Sequence, residues 1–502
     1  MRGVWLVGLA FVAQGCVLGP TSNSVLEAGV STVFFDGVTD QNVTVIVEVL
    51  QPRTGTYVVL GSGSSVAGSF HVTVTVPESA FFTPPCNFAT FRVRDSLGRQ
   101  YAGRDQACLD DPRQSSNICG ASVILLQRPQ TLQGPLALNG QSDADTYACV
   151  TTLDGDLSIA AGEATGAQNN TYLPGVSFSL PRLKEVTGSL SIAGQGSELV
   201  NLPQLTQVGG DMSMALNGRR FDANNGNTKF VNKVNAPKLV SIGGNLVIDA
   251  ASLNFSGGGA TPTMDVGLPA LTSIGNGLTI NNPAPPNLHM SGLTALTNLP
   301  GNLTFNWTQT DLVENGLLPA LVSVGGNADI TMPPNARQLF PALTTVSGNV
   351  TIQNAASVFQ PDPSLLPVLQ AVGGSFTLQN ARTSCTPSGN RFPALKTVSG
   401  AVSILGANSE FRPFMGANGA NALTVGSLDV SGTKTQLIPF GSDMQVVGAG
   451  AVNFQNNANL CPCRITSFTS GLVANGWSGA STGTGNGTAM VCSPCPAPPV
   501  CP

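Results

Sequence analysis

Nine stretches of the chain repeat one order of apolar and polar positions. Counted from an anchor residue, leucine stands two positions on, Val, Ile or Leu five on, glycine seven on, and apolar residues nine and eleven on. The first copy reads Pro181-x-Leu183-x-x-Val186-x-Gly188-x-Leu190-x-Ile192. Anchors recur at Pro203, Pro237, Pro269, Thr294, Pro319, Pro341, Pro367 and Pro393, spaced 22 to 34 residues apart. Asn276 is the departure at the glycine position, with Gly277 beside it. Partial copies of the closing strand occur at Gly155-Asp-Leu157-Ser-Ile159, Gly426-Ser-Leu428-Asp-Val430 and Gly450-Ala-Val452-Asn-Phe454. Apolar residues at alternate positions predict a strand with one buried face. Proline at the anchor stops any helix, and the glycine is expected to make a tight turn at positive φ.

A repeat of this length indicates a solenoid, a propeller or an array, and the copies are too short for a four-stranded blade. Stacked copies place equivalent strands side by side in parallel, about 4.8 Å apart. The prediction is an all-β chain whose main body, 113–460, is a parallel single-stranded β-helix-like solenoid of roughly twelve rungs, on the order of 55–60 Å long. No rung can bury its own aliphatic residues, so each needs its neighbours.

Two copies carry insertions, 215–235 and 249–266. Insertions in solenoids often line the binding face. Arg219, Arg220, Lys229 and Lys233 in the first are therefore ligand-binding candidates, as for an acidic ligand, with a solvated loop as the alternative. Trp307 is a further candidate, placed where the strand alternation turns outward, though it could instead cover a neighbouring rung.

The flanks differ in texture. Period-2 runs at 42–50, 56–60, 69–76 and 88–94, separated by Gly, Pro and Ser turns, predict a small antiparallel β-sandwich over 25–112, read as a spacer domain. Residues 1–15 pair one Arg with a short apolar run, as in a signal peptide, and end in Ala13-Gln14-Gly15 before Cys16. That predicts a lipidated Cys16 followed by a tether, 16–24, with ordinary secretion as the alternative. The segment 461–502 reads as a Cys-rich cap and loose tail.

Composition narrows the function. Charged residues are 10% of the chain, against about 25% in ordinary globular domains. A net charge of −5 with no basic block argues against nucleic acid as a partner. The two histidines, His71 and His289, lie far apart. The acids Asp311, Glu314, Asp329 and Asp362 do not recur in register, so no catalytic residue, cofactor or metal is expected. Asp143, Asp145, Asp154 and Asp156 could hold Ca²⁺, but without a twelve-residue calcium loop they read as solvated turn residues. Of the eleven cysteines, removing Cys16 leaves an even set. In an exported chain Cys86, Cys108, Cys119, Cys149, Cys461, Cys463, Cys492 and Cys495 are disulfide candidates, of undetermined connectivity.

The segments Leu-Pro-Ala-Leu-Thr-Ser-Ile-Gly-Asn-Gly-Leu-Thr-Ile at 268–280 and Phe-Pro-Ala-Leu-Thr-Thr-Val-Ser-Gly-Asn-Val-Thr-Ile at 340–352 resemble repeats of the receptor L-domain family. That family includes ligand-binding domains of insulin- and EGF-type receptors and fungal cell-surface proteins. Cys149-Val-Thr-Thr-Leu-Asp-Gly-Asp-Leu-Ser-Ile159 is similar to its opening strand, so the resemblance covers about 149–430. It implies a right-handed solenoid that binds partners and does no chemistry. The kinase and furin-like regions that accompany the family's receptors are absent from this chain, and receptor ligand residues do not map onto it. The expected function is a non-catalytic surface lipoprotein of the cell envelope, placed in the outer membrane through its lipid, whose solenoid face binds a protein or glycan. The alternative is a parallel β-helix polysaccharide lyase or hydrolase.

Overall fold

A computed structural model describes residues 16–487 apart from gaps of one to three residues and the stretches 26–31, 52–55, 78–87, 106–119, 162–175, 217–230, 250–262, 283–286, 308–317, 333–339, 355–365, 381–391, 407–413 and 415–422. The described residues divide into two compact units, one built mainly from residues up to Leu132 and one from residues after Leu153.

In the first unit the period-2 runs become strands whose alternate side chains meet in one core. Thr32–Val38 and Ser69–Thr75 pair antiparallel in continuous register, each with every second residue buried. Thr44–Gln51 pairs antiparallel with Thr56–Ser64 and with Phe88–Asp95. Phe35, Val47, Val72, Phe91, Val93 and Tyr101 are buried together in one core, enclosed by ten linked strands paired mostly antiparallel. Two stretches differ from the sequence expectation. Cys16–Ser22 is a strand rather than a tether, antiparallel to Thr32–Val38 and parallel to Gln100–Asp105, and Val17 is buried in the core. Ile124–Gln127, assigned above to the solenoid, pairs antiparallel with Phe88–Asp95 and belongs to the first unit. Cys16–Ser22, with three apolar residues in a row and then Gly and Pro, has no period-2 alternation to reveal it, and Ile124–Gln127 is too short to show any.

The second unit is the solenoid. Fourteen strands follow one another in parallel through its main sheet, from Leu136–Leu138 and Leu157–Ala161 to Val452–Gln455 and Ser481–Thr484. Like positions face like: Leu190 pairs Met212, Leu246 pairs Leu278, Leu303 pairs Ala328, and Val350 pairs Phe376. The sequence expectation of twelve was low because Leu136–Leu138 and Ser481–Thr484 lack the motif. At about 4.8 Å a step, thirteen steps span about 62 Å. Short strands such as Ser241–Ile242 and Ser273–Ile274 form a second sheet in the early rungs, and Val231–Asn235 with Thr263–Gly267 belongs to a third.

The four apolar positions of each copy point inward, and Leu239, Leu271, Leu321, Leu343 and Leu395 are all at most 2% exposed. A fifth inward column stands just before the anchor: Leu180, Leu202, Leu268, Leu318, Phe340 and Phe392 are at most 3% exposed. At about 1.5–3 kcal/mol per fully buried side chain, five columns supply the stabilisation that single rungs lack.

The motif glycine has a different cause from the one expected. None of these glycines has a positive φ. Instead, a Cβ at Gly348 would lie 2.7 Å from the backbone of Gly326 in the preceding rung, closer than any side chain tolerates. Successive rungs are in backbone contact there, Gly348 N–H donating to the Gly326 carbonyl at 3.0 Å.

The described part of the C-terminal segment, 461–487, is more regular than its composition suggests. Pro462–Ala474 is a helix that begins at a proline, where the missing N–H costs nothing. Trp477 beyond it is buried and donates Nε1–H to the Gly450 carbonyl at 2.7 Å. Ser481–Thr484 then pairs Val452–Gln455 as the last strand, within the segment expected to be a loose tail.

Candidate recognition face of the solenoid

Strands of five residues give the main sheet an outward side with two columns of side chains. One runs from Ser158 and Ser191 through Thr279, Thr304, Asp329, Thr351 and Thr377 to Asn453 and Thr482. The other, two residues along, runs through Asp249, Asn281, Asn306, Thr331, Gln353 and Gln379. The groups form a lattice of about 4.8 Å between rungs and about 6.6 Å along a strand.

A hydrogen-bond ladder at the corner preceding the strand fixes this lattice. The Asn302 carbonyl Oδ1 accepts the backbone N–H of Asn327 at 2.8 Å, Asn327 Oδ1 that of Asn349 at 2.8 Å, and Asn349 Oδ1 that of Ser375 at 2.8 Å. Asp156, Ser189, Asp211 and Asn245 serve the earlier rungs in the same way. Gly277 has no side chain to contribute, and the ladder resumes at Asn302. An acceptor oxygen at this position replaces water at an N–H that would otherwise lack a partner.

The outward groups fall into two kinds. Some are locked: Asn306 Nδ2–H donates to Asn281 Oδ1 at 2.9 Å, Asn453 Nδ2–H to Asp429 Oδ1 at 2.9 Å, and Thr482 Oγ1–H to Asn453 Oδ1 at 2.7 Å. Others are unengaged: the hydroxyls of Thr279, Thr304, Thr351 and Thr377 bond to no other described residue. Along the column just before the short two-residue strands the opposite holds. Thr206 and Thr344 turn their hydroxyls back onto the carbonyls of Lys184 and Val322, at 2.9 and 3.0 Å. No described strand of the main sheet contains Lys or Arg, and its aromatic residues, Phe305, Trp307, Phe376 and Phe454, are buried.

The residues singled out from sequence are not brought together. Trp307 is inward rather than outward: it shares the parity of Leu303 and Phe305, is 4% exposed, and stacks on Phe305 at 5.7 Å. Lys233 is paired across rungs with Asp265 at 3.3 Å, because the two strands match in register at that position. Arg219, Arg220 and Lys229 lie outside the described residues. Asp154 Oδ1 accepts from the Thr187 hydroxyl at 2.9 Å and Asp156 Oδ1 from the Ser189 N–H at 2.7 Å, so both link rungs. Asp143 Oδ2 accepts from the Asn139 N–H at 2.8 Å. Cys149, Cys461 and Cys463 are disulfide-bonded. Cys86, Cys108, Cys119, Cys492 and Cys495 fall outside the described residues, as does the side chain of Cys16. Sequence reasoning missed the outward threonine column, which is legible as the tenth position from each anchor.

The chain matches no protein-family model, no curated protein and no solved structure.

Proposed function

We propose that this protein is a non-catalytic recognition protein of the cell envelope, whose main-sheet outer face holds a protein or glycan partner. The observation that carries the reading is the row of unengaged threonine hydroxyls on that face, flanked by locked amides and held by the asparagine ladder. Donors and acceptors without partners on a rigid sheet are a surface ready to bind, and the acids there, Asp249, Asp329 and Asp429, stand on different rungs. The repeats' resemblance to receptor L-domains supports the same role. Export through residues 1–15 and lipidation of Cys16 complete the proposal; acyl chains there would sit at the start of a strand of the first unit, with no tether between. In the outer leaflet of an outer membrane the solenoid would meet partners outside the cell, with the remaining cysteines oxidised in pairs.

The test is binding of the exported full chain to isolated envelopes of the producing organism, with release of reducing sugar ends measured in parallel. Thr351→Arg with Thr377→Arg is expected to abolish binding, and Thr345→Arg, on the exposed side of a two-residue strand, to leave it intact. Unchanged binding by the double variant, or release of sugar ends, would overturn the reading.

A further inference from the structure

We infer that the outer face of the main sheet takes a neutral polysaccharide in ordered, extended arrays, rather than a folded protein epitope or a free oligosaccharide. This rests on the recognition role proposed above and names its partner. Periodicity is the first argument. Threonine recurs at Thr279, Thr304, Thr351 and Thr377 in matched register, with Asp329 the one interruption. Over these five rungs the same group therefore returns in steps of about 4.8 Å, broken once, with serine at the same position in Ser191, Ser213 and Ser403. A folded protein without internal repeats has no such translational repeat on its surface, whereas a polymer of identical sugars does.

Charge is the second. With no Lys or Arg in any described main-sheet strand, an anionic polymer would meet only Asp249, Asp329 and Asp429 and be repelled. The hydrogen-bond inventory is the third. Hydroxyls and carboxamides each donate and accept, which matches sugar hydroxyls, themselves donors and acceptors.

Shape then selects the physical form. The outward columns contain no aromatic ring on which a single sugar could stack, and the sheet surface offers shallow contact only. Each contact is weak, and affinity must come from many made together along a stiff partner. The face is prepared for that: Asn281 Nδ2–H donates to Asp249 Oδ1 at 3.3 Å and Asn306 Nδ2–H to Asn281 Oδ1 at 2.9 Å, so these rotors are already fixed before a partner arrives. A short soluble oligosaccharide gains little from such a surface; packed parallel chains gain from every rung.

The probes are insoluble microcrystalline cellulose and chitin particles and the soluble hexasaccharides of the same sugars, with the full exported chain in solution. The expected result is depletion by at least one kind of particle, with the hexasaccharide at least about tenfold weaker per site. Thr304→Arg, Thr351→Arg and Thr377→Arg together should reduce depletion about tenfold or more, with Thr345→Arg unchanged. If the triple variant fails to fold by circular dichroism, Thr351→Arg alone should still lower depletion measurably. Absence of depletion by either particle, or equal binding of hexasaccharide and particle, would overturn the inference. Envelope binding lost in the face variants without particle binding would leave the recognition role standing and sink only this partner. Envelope binding that survives the face variants would sink both.

Discussion

At the residue scale, the motif glycine and the corner asparagine set how closely the rungs approach. The glycine is there because the backbone of the preceding rung occupies the space a Cβ would need. Gly348→Ala should therefore destabilise the solenoid by about 1–3 kcal/mol, read from the shift of its urea midpoint. Asn349 contributes one acceptor oxygen to the Ser375 N–H. Asn349→Ala should cost about 0.5–1.5 kcal/mol, while Asn349→Asp keeps the oxygen, as Asp211 does in its own rung, and should lie near wild type. The glycine position was plain in the sequence, but its reason was not: a sequence shows where a Cβ is missing, not which atom it would meet. Trp307 illustrates the same limit, since its side of the strand depends on how far the strand continues past Phe305.

At the element scale, one turn of the first unit couples its stability to pH through Asp95. Burial alone would raise the pKa of Asp95, but hydrogen bonds from the Arg99 backbone and guanidinium, the Tyr101 hydroxyl and the Leu97 N–H together hold it below the ordinary carboxylate value. That stabilisation is present above about pH 4 and is lost as pH falls through the lowered value. Tyr101 is pushed up to about 12, first by burial and then by its bond to Asp95. Its contribution is present below about pH 10 and lost as pH rises from there toward the raised value. Calorimetry of the full chain should show the transition lowered by Phe35→Ala weakening at both pH extremes, and Tyr101→Phe should remove the alkaline loss. In the terminal helix Gly471 has open space around its Cα, so Gly471→Ala should stabilise by about 0.5–1 kcal/mol in thermal melts. Long alternating strands such as Ser69–Thr75 were legible from sequence. Ser481–Thr484 was not, because a Ser-Thr-Gly-Thr strand carries no apolar alternation and pairs only because Val452–Gln455 presents an open edge.

At the scale of the whole solenoid, the stack follows from the period alone: five inward columns leave two outward ones on every long strand. The proposed binding face is the complement of the core pattern and could have been read from the same anchors. Attention to charged and aromatic residues led away from it, toward Lys233 and Trp307, which the register pairs with Asp265 and buries on Phe305. The face has meaning only if the rungs form one uninterrupted ladder, since a break would end both the core columns and the lattice. Electron spin distance measurements between pairs of labels on the outward column test this most directly, with the labels carried on unnatural amino acids so that the native cysteines stay untouched. Two pairs suffice: Thr279 with Ser403, five rungs apart, and Thr279 with Asn453, seven apart. An uninterrupted ladder gives narrow distributions separated by about 10 Å, near 24 and 34 Å, rising about 4.8 Å per rung. Broad distributions, or distances that do not grow with rung number, would contradict it.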